Sequence, residues 1–137
     1  MNHKELRIGN YVLFNETQDI VYAIKNSGID FFRGKKTKGV ITQGYIHEAI
    51  KPIPLTEEWL LKFGFDSQEK GYNYLTIGKS ALYIYINNNG ETGICIEDLN
   101  EDLTEEQELS FSIKIQFVHQ LQNLYFALTN EELTIKQ

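Results

Sequence analysis

Tyr72-Asn73-Tyr74-Leu75-Thr76-Ile77-Gly78-Lys79-Ser80-Ala81-Leu82-Tyr83-Ile84-Tyr85-Ile86 alternates with a period of two on both sides of Gly78-Lys79-Ser80. That period belongs to a strand, whose successive side chains point to opposite faces of a sheet. Asn87-Asn88-Asn89-Gly90 supplies a second turn, and residues 93–97 continue in the same period, so the segment reads as an antiparallel meander over 72–77, 81–86 and 93–97. Its two faces differ in chemistry. Leu75, Ile77, Leu82, Ile84, Ile86, Ile94 and Ile96 share one, while Tyr72, Tyr74, Thr76, Tyr83, Tyr85, Cys95 and Glu97 share the other. The aliphatic face must be buried. The tyrosine face is expected to be covered as well, by N-terminal strands or by the acidic stretch that follows.

Upstream of the meander, Thr56 is an N-cap candidate, Glu57 and Glu58 suit the positive end of a helix dipole, and Gly64 can take a left-handed stop. A short helix over 57–63 follows. Leu55 can staple onto Leu60 at its entrance and Phe65 can close back onto Leu60 at its exit. Pro52-Ile53-Pro54, just before, marks a hinge or lobe boundary, because proline cannot donate to a ladder and holds its predecessor extended. Residues 8–14, 20–24, 29–32, 40–42 and 45–50 are β-branched and aromatic runs, with 15–19 suited to a hairpin connector and glycines bounding most of the rest. Five short strands in about fifty residues suggest a small, strongly bent barrel of the SH3-like or OB-like kind.

Downstream, residues 110–115 resume the strand period and 116–128 carry a helical one. On the wheel Phe117, Leu121, Leu124 and Leu128 form the buried stripe, with Val118 and Tyr125 at its margin, whereas His119, Gln122, Asn123 and Phe126 gather opposite. That second face is either packed, with its amides bonded to loop backbone, or a contact patch; burial is the simpler reading. Leu133 can anchor the tail. The fold expected is therefore α+β: an N-terminal SH3-like or OB-like bent β-barrel, a short helix, an antiparallel meander and a C-terminal helix packed on it. Residues 1–137 make one domain, with lobes at 1–51 and 55–137.

Composition bounds the function. The 137 residues are 42% hydrophobic and 23% charged, ordinary globular usage, and no apolar run approaches the roughly 18 residues that span a bilayer. Cys95 is the single cysteine, so no internal disulfide can form, and a reducing cytoplasm is the expected location. A net charge of −6 argues against sequence-blind nucleic-acid binding, which rests on phosphate neutralisation. The charge is unevenly placed. Arg33, Lys35, Lys36 and Lys38 form a basic loop, and Glu97, Asp98, Glu101, Asp102, Glu105, Glu106 and Glu108 an acidic stretch.

Catalytic signals are weak. Gly78-Lys79-Ser80 resembles the end of a phosphate-binding loop, but Asn73 stands where its first glycine is required, and the flanks read strand to strand. His3, His47 and His119 have no partner at metal-ligand spacing, so no metal and no cofactor are expected. No serine sits in a nucleophile elbow, and the acidic stretch lacks the central glycine of a calcium loop. The candidate ligand-binding residues are Arg33, Lys35, Lys36, Lys38, Tyr45 and His47, chemistry suited to an anionic small molecule. The candidate interaction surface is His119, Gln122, Asn123 and Phe126. The expected role is a non-enzymatic binding protein that takes an anionic small molecule or a host protein; it has no membrane partner and could form a homo-oligomer. The alternative is a nucleic-acid-binding small barrel in which the basic loop contacts phosphates and Phe32 or Tyr45 stacks a base.

Glu5-Leu6-Arg7-Ile8-Gly9-Asn10, the stretch from Pro52 through Phe65, and Val118-His119-Gln120-Leu121-Gln122-Asn123-Leu124-Tyr125-Phe126-Ala127-Leu128 together resemble the signature stretches of a family of small uncharacterised proteins from Bacteroidota genomes and their prophages. The resemblance spans almost the whole chain. It implies a bacterial or phage accessory protein, for which a nucleotide signal of a defence system is one fitting ligand, and it transfers no catalytic residues.

Overall fold

The computed structural model describes residues 3–25, 28–33, 37–40, 49–98, 108–111 and 114–137. The protein is α+β, and its described residues form two antiparallel five-stranded sheets and the two α-helices named below. The first sheet holds β1 (Tyr11–Phe14), β2 (Thr17–Lys25), β3 (Gly28–Arg33), β4 (Thr37–Val40) and β5 (Ile50–Lys51), in the order β4-β3-β2-β1-β5. The second holds β6 (Asp66–Glu69), β7 (Tyr72–Ile77), β8 (Ser80–Ile86), β9 (Thr92–Asp98) and β10 (Glu108–Phe111), in the order β10-β9-β8-β7-β6. The helices are α1 (Glu57–Lys62) and α2 (Val118–Thr129). Two compact units interleave along the chain: Met1–Pro54 with Phe117–Glu132, and Leu55–Gln116 with Leu133–Gln137.

In the first unit, Asn15 and Glu16 close the β1–β2 hairpin with φ of 47° and 63°. Two positive φ angles in a two-residue loop match the right-handed twist of the strands it joins. The turn is therefore tighter than the 15–19 connector, and β2 begins at Thr17. Leu6, Val12, Val21, Ile29, Phe31 and Ile50 form the buried cluster, with Phe14 stacked on Phe31 at 5.4 Å between ring centroids. A barrel would need β4 and β5 joined, and no such pairing occurs among the described residues.

The C-terminal helix belongs to this unit and not to the meander, a correction to the expected packing. Its polar side chains explain why. Gln122 Oε1 accepts from the Tyr11 N–H at 2.8 Å, and its Nε2 donates to the Gly9 carbonyl at 3.0 Å. Asn123 Nδ2 donates to the Glu5 carbonyl at 2.7 Å, and its Oδ1 accepts from Asn10 Nδ2 at 3.0 Å. The Val118 N–H bonds the Ile53 carbonyl. The buried residues of α2 are thus Val118, His119, Leu121 and Gln122, while Leu128, placed in the apolar stripe by its spacing, is 44% exposed. Asn130, with φ of 58°, ends the helix.

In the second unit, α1 is bounded by local chemistry at both ends. Thr56 Oγ1 accepts from the Trp59 N–H. At the other end the Gly64 N–H bonds Leu61 O and the Phe65 N–H bonds Leu60 O, the paired bonds of a Schellman stop. Leu55, Leu60 and Phe65 are all buried. Gly64 has φ of +87°, and a Cβ there would lie 2.9 Å from the Lys136 side chain. Gly64→Val is expected to destabilise the protein by about 2 kcal/mol, since a β-branched residue is strained at positive φ; a lowered urea midpoint at unchanged slope checks it.

The meander forms with the expected division of faces, Tyr74 opposite Tyr83, Leu75 opposite Leu82, and Ile84 opposite Ile94. The Gly78-Lys79 pair is a two-residue hairpin turn joining Ile77 to Ser80. At the next turn Asn87 Oδ1 accepts from the N–H groups of both Asn89 and Glu91. β6 is an edge strand the hydrophobic period does not show, because all four of its residues are exposed. Leu133, 2% exposed, anchors the tail.

Candidate functional site

On the tyrosine face of the second sheet Tyr74 and Tyr83 are half-buried and Tyr72 and Tyr85 exposed; the acidic stretch over 99–107, one of its two expected covers, lies outside the described residues. Register places Tyr72 directly opposite Tyr85 and Tyr74 opposite Tyr83, with ring centroids 4.5 Å and 5.7 Å apart. On the next strand Gly93 faces Tyr85, Cys95 faces Tyr83, and Glu97 faces Ala81. Tyr72 is 47% and Tyr85 39% exposed. The face bounds a cavity of about 580 Å³ lined by Gln68, Tyr72, Tyr83, Tyr85, Cys95 and Glu97 over a floor that includes Gly93. A Cβ at Gly93 would come no closer than 4.0 Å to Tyr85 Cβ, so it is the missing bulk of a larger residue here that keeps the floor low.

The electrostatics are one-sided. Glu97 is the one charged residue among the described residues that line the cavity. Desolvation, and then the hydrogen bond and charge of Glu97, hold the Tyr83 phenol above its ordinary value. Tyr83 therefore stays protonated at neutral pH and donates to the Glu97 carboxylate; it is no general base there. The arrangement offers aromatic faces, a carboxylate and a partly exposed thiol at Cys95.

The residues read from sequence as sites fall elsewhere. Arg33 and Lys38 lie on the backbone of the β3–β4 hairpin, where Arg33 pairs with Thr37 and Phe32 with Lys38. Their side chains, like Lys35, Lys36, Tyr45 and His47, lie outside the described residues, as does the acidic stretch over 99–107. The second face of α2 is described, and it is a structural joint. His119 and Gln122 are buried, Asn123 and Phe126 half-buried, and the Arg7 guanidinium lies 3.7 Å over the Phe126 ring while its Nη2 bonds Glu132 Oε1 at 2.7 Å. Among the described residues no cluster of His, Cys, Asp or Glu is placed to hold a metal, and no helix is long and apolar enough to cross a membrane.

His119 gives the joint a pH dependence. Burial pushes its imidazole below the ordinary value, against the opposing pull of Glu5 Oε2, 3.5 Å from Nε2. Nδ1 has no hydrogen-bond partner among the described residues. A histidine whose folded pKa is depressed takes up its proton more readily unfolded, so its contribution is intact above the unfolded value of about 6.5 and is lost as pH falls below it. Stability should decline there with a slope of at most about 1.4 kcal/mol per pH unit from this group. The difference between wild-type and His119→Asn urea midpoints across pH 5 to 7 isolates that slope; parallel curves would deny it.

Comparison with known proteins finds no matching family model, curated protein or solved structure. The chemistry of the groove is therefore the ground on which function is argued.

Sequence spacing did place Tyr72, Tyr83, Tyr85, Cys95 and Glu97 on one face. What it missed was the exposure of Tyr72 and Tyr85, the glycine floor opposite Tyr85, and Gln68 on a strand without a hydrophobic period.

Proposed function

We infer that this chain is a cytoplasmic, non-enzymatic binding protein whose contact surface is the tyrosine groove of the second sheet. The observation that carries this reading is the exposure of Tyr72 and Tyr85 on a cross-strand pair beside a cavity of about 580 Å³. Cavities of roughly 300–1,000 Å³ with aromatic walls and few polar groups are the usual form of a recognition site. Tyrosine gives large contact area at low entropic cost, with two side-chain torsions to fix. Glu97, the one carboxylate among the described lining, is engaged by a neutral phenol, an arrangement that favours holding a ligand over activating a nucleophile. A bacterial or phage accessory setting, and an SH3-like or OB-like closure of the first sheet, are parts of the same proposal. So is the basic loop of Arg33, Lys35, Lys36 and Lys38 as a separate place for an anion; the groove itself, with Glu97 in its wall, disfavours one.

The test is affinity capture from a bacterial lysate with the wild-type chain and with a Tyr72→Ala/Tyr85→Ala variant. A stoichiometric partner held by the wild type and lost from a folded variant is the expected result. Retention by both, or conversion of a captured small molecule into product, would overturn the reading.

A further inference from the structure

We propose that the groove seats the guanidinium of an arginine side chain presented by a partner protein; this rests on the groove being the binding surface. Charge complementarity is the first argument. The cavity wall carries the Glu97 carboxylate with no basic residue among the described lining, on a chain of net charge −6. A cation is drawn to it and a phosphate repelled.

The second argument is geometric, and the molecule supplies its own instance of it. Arg7 lays its guanidinium 3.7 Å over Phe126 while its Nη2 reaches the Glu132 carboxylate at 2.7 Å. An aromatic face beside a carboxylate is what a planar, weakly hydrated, fork-shaped cation satisfies at once, by stacking and by hydrogen bonding. The groove holds the same two kinds of group: the ring of Tyr83, whose hydroxyl bonds Glu97, and the Glu97 carboxylate itself, with Tyr85 and Tyr72 further along the wall. Lysine, a compact and strongly hydrated point charge, would use the carboxylate but gain less from the rings.

The third argument concerns the source of the side chain. Tyr72 and Tyr85 stand at the rim, 47% and 39% exposed, so a free small molecule would remain largely wetted there. A protein partner covers the rim with its own surface and excludes water around the buried arginine, the way contact hot spots rich in Arg and Tyr are built.

The experiment titrates the full chain with the blocked peptide Gly-Ser-Arg-Ser-Gly and with its citrulline and lysine counterparts, in about 0.15 M salt to weaken long-range attraction. Tyrosine ring signals are followed by NMR. The arginine peptide is expected to shift the ring of Tyr83 and that of its groove neighbour Tyr85 saturably. Citrulline, which keeps the shape and loses the charge, should bind at least about ten-fold more weakly. Glu97→Gln should weaken the arginine peptide about ten-fold, whereas Glu16→Gln, the same charge change on an exposed carboxylate of the other unit, should leave it unchanged. Bound peptide should also slow alkylation of Cys95, the chain's one thiol.

Several results would overturn the proposal: no saturable shift up to about 10 mM peptide, equal binding of arginine and lysine, or equal effects of the two glutamate variants. The arginine–citrulline comparison uses wild-type protein, so a Glu97→Gln chain that failed to fold would leave the decision intact. Equal shifts by arginine and citrulline would end the arginine assignment and keep the groove as a binding surface. Capture that survives Tyr72→Ala/Tyr85→Ala would end both.

Discussion

Replacing Gly71 by alanine is expected to cost about 3 kcal/mol, the larger part of it from backbone that cannot yield. Gly71 has φ of +87°, and a Cβ added there would stand 2.7 Å from the Ile86 carbonyl oxygen. The oxygen cannot rotate away as a flexible side chain would. Two bonds hold the glycine where it is: its N–H donates to Glu57 Oε1 at 2.6 Å, and its carbonyl accepts from the Ile86 N–H at 2.9 Å. Relief of the clash must therefore break one of these bonds or spread β7 from β8. Because Tyr72 follows directly and faces Tyr85, the same displacement should open the aromatic pair. The measurement is a urea melt together with the tyrosine ring signals: a lower midpoint with altered Tyr72 and Tyr85 shifts is expected, and an unchanged melt would mean that the turn tolerates a side chain.

Gln122→Leu is expected to cost about 3 kcal/mol for a different reason. The swap nearly conserves volume, so packing changes little. What is lost is the amide that at once accepts from the Tyr11 N–H and donates to the Gly9 carbonyl. Gln122 is 1% exposed and Tyr11 7%, so water does not readily replace it. A buried polar group left without a partner costs roughly 1–3 kcal/mol, and here the Tyr11 N–H is buried and the Gly9 carbonyl half-buried. That is a large fraction of the 5–15 kcal/mol by which a domain is usually stable. Leu128→Gln, at the exposed end of the same helix, should change the midpoint by less than about 0.5 kcal/mol. If the two substitutions had similar effects, the amide bridge would not be what holds the helix.

The contrast between Gln122 and Leu128 shows where sequence reading stops. α1 was legible because its signals are local: Thr56 caps the chain three residues ahead of it, and Gly64 releases it through bonds to Leu60 and Leu61. The meander was legible because its alternation survives intact through three strands. β6 was not, since Asp66, Ser67, Gln68 and Glu69 bury nothing and are strand only by pairing with β7. The placement of α2 was hidden for a related reason. Burial of the Gln122 and His119 face, with its amides on loop backbone, was the simpler reading of the wheel and is what forms; that the backbone is that of Gly9 and Tyr11, more than a hundred residues away in sequence, is written in no local pattern. The tyrosine face was legible as a face, from alternation alone; whether anything covers it depends on contacts that no local pattern encodes.

The interleaving of the two units also sets a timetable for synthesis. A chain made from its N-terminus delivers β1 to β5 before the residues of α2 exist, and at roughly 5–20 residues per second the intervening Leu55–Gln116 stretch takes on the order of several seconds to appear. Through that interval the Gly9 carbonyl and the Tyr11 amide have water as their partner, and Val12, Val21 and Phe31 wait on a sheet whose last element has not been made. The strands of the groove-bearing sheet, β6 to β10, are all made within the Leu55–Gln116 stretch. The unit that begins first is thus the one whose sheet stands longest without its helix, and that sheet is the part most dependent on chaperones while the polypeptide is still growing.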